Sequence, residues 1–66
     1  MAVAKVIEVL AEGKSIEEAL QSAVAEAAKT VREVKHVYLE GVQALVENNK
    51  VVKYRVNAKI TFVVEE

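Results

Sequence analysis

His36 is the single histidine of this 66-residue sequence, and histidine is the side chain that ordinarily titrates near neutral pH. Its imidazole can stack or hydrogen-bond inside a ligand pocket, or it can sit half-exposed on a strand at a subunit contact. Arg55 carries a planar fork of donors that fits a phosphate or a carboxylate. The same fork can instead pair with a glutamate across an interface. Lys53, Arg55 and Lys59 form a basic row on one strand face, with Tyr38 near it. A nucleic-acid surface needs interleaved aromatics and a larger excess of positive charge, and the net charge here is −1. Glu17, Glu18 and Glu26 crowd the polar side of a helix. Calcium or magnesium needs several oxygens converging on one point. Symmetric copies meeting at an axis could supply them, and one helix could not. Catalysis finds little to work with. Cysteine is absent and all ten acidic residues are glutamate. Ser15 and Ser22 have no histidine within reach in the same chain, and a working pair of carboxylates needs a cleft that so small a chain does not form. The expectation is a protein that is not an enzyme.

The elements that position these residues follow from periodicity. Residues 2–10 read as a strand, apolar on both faces, and residues 11–14 as a connection broken by Gly13. Ser15 and Glu18 fit a capping box, in which the hydroxyl meets the N3 amide and the carboxylate returns to the cap. The helix that follows extends to about Arg32. Ile16, Leu20, Ala23, Val24, Ala27 and Val31 form its apolar stripe at spacings of three and four. A second strand covers about Val34 to Glu47, and a third follows the turn at Asn48-Asn49, since asparagine tolerates the positive φ of a two-residue hairpin. The order is β-α-β-β. With the first strand beside the third, the chain is an α+β protein with a three-stranded antiparallel sheet packed on one helix. Residues 1–66 make one domain.

From Val51 to Val64 the residues alternate almost without error. Val52, Tyr54, Val56, Ala58, Ile60, Phe62 and Val64 take one face, and Lys53, Arg55, Asn57, Lys59 and Thr61 the other. The turn sets Glu47 against Lys50, Leu45 against Val52, Leu39 against Ala58 and Val37 against Ile60. The far face of the second strand then carries His36, Tyr38, Glu40, Val42, Ala44 and Val46. A bulge at Gly41 would flip the faces of the residues before it. The third strand extends roughly 45 Å, whereas the helix covers roughly 25 Å. Part of the apolar stripe lies beyond anything the chain can place over it, so the working unit is expected to be a homo-oligomer.

Composition agrees. A chain this small buries only about 60% of its unfolded surface and usually needs external support. Without cysteine there are no disulfides or thiolate metal sites, and one histidine cannot build a histidine zinc site alone. Association is the support that remains. The N-terminal run has Lys5 and Glu8 inside it, which is unlike a signal peptide, and no stretch approaches a membrane span. The expectation is a cytoplasmic protein with no membrane and no nucleic-acid partner.

The segments Lys5-Val-Ile-Glu, Ala25-Glu-Ala-Ala-Lys-Thr, Asn49-Lys-Val-Val-Lys-Tyr-Arg-Val and Lys59-Ile-Thr-Phe, in this order and spacing, resemble the dodecin family over nearly the whole chain. The resemblance implies a β-α-β-β subunit, twelve copies assembled into a hollow shell, and the binding or sequestration of flavins such as FMN or riboflavin. Flavin-binding dodecins place a tryptophan at the position of His36 and a glutamine at that of Arg55. The family's Gly-Thr-Ser after the first strand is replaced here by Ala11-Glu-Gly-Lys. These departures imply weak flavin binding. They also resemble the subgroup described as calcium dodecins, for which the alternative is a structural or metal-binding oligomer without flavin, with calcium or magnesium at symmetry axes. The ligand-binding candidates are His36, Tyr38 and Arg55.

Overall fold

A computed structural model describes residues 3–64. Four elements follow in the order β1 (Val3–Gly13), α1 (Ile16–Ala27), β2 (Val34–Glu47) and β3 (Lys50–Val64). The three strands form one antiparallel sheet in the order β1-β3-β2, and α1 lies across one face of it. This is the expected architecture. Ala2, the expected first residue of the strand, lies outside the described residues.

β1 extends further than expected. Its pairing with β3 continues without a break from Val3↔Val64 to Gly13↔Tyr54, so residues 11–13 are strand rather than connection. Gly13 ends the strand beneath the first turn of α1, where an added Cβ would stand 2.7 Å from the Ala19 nitrogen. Ser15 caps the helix: the Glu18 amide donates to its Oγ at 3.0 Å. The Glu18 carboxylate reaches one residue beyond the cap and accepts from the Lys14 amide.

The helix has 12 residues, about 18 Å, and ends well before Arg32. The amides of Lys29 and Thr30 donate to the carbonyls three residues back, Glu26 and Ala27, and the Thr30 hydroxyl also donates to Ala27. The Val31 amide also donates to Ala27, at 3.0 Å, so the last turn is a mixed one, and β-branched Thr30 and Val31 favour extended backbone beyond it. The buried row of α1 is Ala19, Ala23 and Ala27. Ala19 was not part of the expected stripe, while Ile16 is 36% exposed. Side chains this small seat the helix directly on Val56, Ala58 and Ile60, each at 0% exposure.

The β2–β3 hairpin turns through Asn48 (φ 52°) and Asn49 (φ 64°), the pair of positive φ values that this tight hairpin demands. Expectation and structure agree on Glu47↔Lys50, Leu39↔Ala58 and Val37↔Ile60, and differ between them: Leu45 faces Lys53, not Val52. Val52 is an extra residue on β3, and Glu40 is an extra residue on β2 beside Gly41. Each bulge shifts the register by one and the two cancel. Between them the faces of β2 are reversed from the expectation. Val42 and Ala44 pair with Val56 and Tyr54 on the α1 side of the sheet. Gln43 and Leu45 pair with Arg55 and Lys53 on the outer side.

β3 outruns the helix, as the alternation implied. Val46, Val51 and Val52 are between 44% and 57% exposed, and they cluster at the hairpin end of a molecule 52 Å long.

Candidate functional site

The outer face of the sheet, turned away from α1, carries the chemistry-bearing side chains. Registers with β3 as the central strand define its rows. Val6, Thr61 and His36 form one, then Glu8, Lys59 and Tyr38, then Leu10, Asn57 and Gly41, then Glu12, Arg55 and Gln43. Lys53 and Leu45 lie beyond.

The last full row is tied together by charge. Arg55 Nη2 and Nε stand 2.7 and 2.9 Å from Glu12 Oε2, and Lys53 Nζ stands 2.9 Å from Glu12 Oε1. Hydrogen bonds from Lys53 first, and then from Arg55, hold the Glu12 carboxyl below the usual carboxylate range. At the other side of the Asn57 row, Lys59 Nζ is 3.5 Å from Glu40 Oε2, a contact that the Glu40 bulge makes possible.

Between these charged rows lies a trough of about 340 Å³ lined by Leu10, Gly41, Val42, Gln43, Arg55 and Asn57. Gly41 keeps one wall low, since a Cβ there would meet nothing within 4 Å. Leu10, 71% exposed, forms the apolar wall. Asn57 is the floor, and its Oδ1 is buried without a hydrogen-bond partner among the described residues. Buried polar atoms are normally satisfied, so this acceptor marks the trough as a polar position that the chain's own side chains do not complete.

Two of the candidate residues come together. His36 and Tyr38 lie on the outer face in adjacent rows, both exposed, with Tyr38 at 64%. Arg55 shares that face but is six residues along β3 from Thr61, the partner of His36, about 20 Å. Within the chain, the glutamate that meets Arg55 is Glu12. Among the described residues no group of three or more acidic or histidine side chains could hold a metal. Glu18 is engaged at the helix cap, and Glu26 pairs with Lys29 at 3.2 Å. Glu12, Leu10, Gln43 and Asn57 were not singled out by sequence. The signal for Glu12 was present: the alternation of β1 passes through Glu8 and Leu10 to Glu12 before Gly13 interrupts it.

The Dodecin family profile matches residues 3–65, and the chain belongs to the dodecin family. A dodecin of T. thermophilus, solved as a point mutant, is 27% identical over 100% of both chains, with a TM-score of 0.91. The dodecin of Streptomyces coelicolor is 26% identical, with 98% of this chain and 94% of that one covered and a TM-score of 0.89. The dodecin of Streptomyces davaonensis, 14% identical over 98% and 97% of the two chains, shares the fold with a TM-score of 0.89. No match is found among curated proteins. Family membership implies a small homo-oligomeric protein. No helix among the described residues is long and apolar enough to cross a membrane.

Proposed function

We propose that this dodecin is a non-enzymatic, cytoplasmic shell, most simply a homododecamer of one-domain subunits, that binds and sequesters a flat flavin-like ligand weakly. The observation that carries this reading is the bare outer face of the sheet. His36 and Tyr38 stand exposed there, and a trough with an apolar wall and a polar floor opens beside Arg55. An imidazole offers less stacking surface than an indole, and an arginine donates where a glutamine both donates and accepts. Weak binding follows from both. The exposed valines at the hairpin end support assembly, because self-association would remove their apolar surface from water.

A second reading rests on the Glu12–Arg55 pair. With its fork engaged by its own chain, Arg55 is structural, and the shell takes no flavin but holds calcium, magnesium or an anion where copies meet.

Titrating riboflavin and FMN by fluorescence quenching separates the two. The first reading expects saturable binding weaker than micromolar, lowered further by His36→Ala and Tyr38→Ala. Absence of binding would favour the second. Submicromolar binding would contradict the weight given to the missing indole.

A further inference from the structure

The trough is bounded by two charged rows of opposite sign. On the Arg55 side, one carboxylate (Glu12) faces two cations, Lys53 and Arg55. On the Lys59 side, two carboxylates lie beside one cation: Glu40 at 3.5 Å, and Glu8, the residue opposite Lys59 in the β1–β3 register. The floor row of Leu10, Asn57 and Gly41 carries no charge. Taken together, the six charges cancel, leaving a positive end, a negative end and a neutral floor.

The positive end is also committed. Arg55 presents Nε and Nη2, the two nitrogens of its side-on fork, to one oxygen of Glu12, and Lys53 holds the other oxygen. That fork is the geometry by which arginine grips a phosphate or carboxylate. An incoming anion would have to displace Glu12 from both cations or sit beside its charge.

We infer that Glu12 sets the charge class of the ligand: it occupies Arg55 and Lys53 so that the trough takes an uncharged, dipolar ligand and turns anionic ones away. The inference rests on the reading of the outer face as a ligand site and narrows it. The ring of such a ligand lies on Asn57 against Leu10, with the ligand's side chain directed toward Arg55 and Gln43, where a terminal charge would meet the Glu12–Arg55 pair. Glu12 does not itself touch the ligand. It acts through Arg55 as a positioning and specificity-determining residue.

The test compares wild type with Glu12→Gln, which keeps the shape and removes the charge. In the assembled wild-type protein, neutral riboflavin binds at least as tightly as FMN, and neither affinity changes appreciably between low and high salt. In Glu12→Gln the preference reverses: FMN gains about tenfold over riboflavin, as a freed charge-assisted fork supplies, and the gain fades at high salt. An unchanged FMN-to-riboflavin ratio in the variant overturns the inference, as does wild-type FMN binding that is tighter than riboflavin and salt-sensitive. Should neither flavin bind either protein, the reading of the face as a flavin site fails, and a flavin-free arm still decides the role of Glu12. Pyrophosphate is titrated while the ¹⁵N resonance of Arg55 Nε is followed. A shift in Glu12→Gln but not in wild type supports the inference. A shift in wild type, or in neither protein, overturns it.

Discussion

Among the described residues Ile60 is the largest fully buried side chain, and truncating it tests whether α1 is seated on the sheet. It packs beneath Ala23 and Ala27 of α1, among Ile7, Val9 and Val37 of the flanking strands. Removing buried aliphatic atoms costs their transfer free energy plus a term for whatever cavity fails to collapse, about 2–5 kcal/mol for isoleucine to alanine. Collapse is limited here. The side chains above Ile60 are already alanines, so only a shift of the whole helix could fill the space. Ile60→Ala should therefore cost about 3–4 kcal/mol, and Ile60→Val, which leaves little void, about 1 kcal/mol. A chain of this length commonly has about 3–10 kcal/mol in all, so the alanine variant loses a large part of its stability. Urea unfolding followed by far-UV circular dichroism measures this. It should be run at two protein concentrations, because association makes the midpoint concentration-dependent. A cost for Ile60→Ala below about 1 kcal/mol, outside the range for such truncations, would refute the seating of α1 on the centre of β3.

Ser15→Ala removes the acceptor for the Glu18 amide and should cost about 1 kcal/mol, seen as a lower urea midpoint with unchanged ligand binding. Val46→Glu places a charge on a valine that is 57% exposed beyond the reach of α1; light scattering should show loss of assembly with the circular dichroism of the fold retained, and an intact oligomer would show that this end is no contact. Glu12 is held below the usual carboxylate range by Lys53 and Arg55, so its contribution to stability is full above that range and is lost as pH falls through its lowered value. Unfolding midpoints against pH should lose that part of the acid dependence in Glu12→Gln, and superimposable profiles would contradict it.

Much of this fold was legible because local and global signals coincide. Asn48-Asn49 supplies the turn, and the alternation on both sides of it gives the strands, so β2 was expected where it lies. Ser15 announced the helix start. Its end was not legible: no glycine closes it, Val31 continues the apolar spacing, and the tighter hydrogen bonds to Glu26 and Ala27 leave no mark in the sequence. Ala19 is not legible in the sequence because its value is its small size under a close-packed helix, which hydropathy does not record. The register agrees at Glu47 and from Leu39 to His36 and differs between, because the bulges at Val52 and Glu40 cancel; a third irregularity, between Val34 and His36, shifts it again at the start of β2. That local slip decided the site. It brings Gln43 beside Arg55 and removes Val42 and Ala44 from the outer face. Glu12 was hidden for another reason, since residues 11–14 look like a loop while β1 keeps its pairing with β3 through Gly13.

The proposed working unit is a closed shell of identical subunits. The molar mass of the purified protein, by multi-angle light scattering at micromolar concentration, tests it most directly. One stable species near twelve times the 7.2 kDa of a single chain is expected. A stable monomer of 7.2 kDa, its valines at the hairpin end left in water, would contradict it.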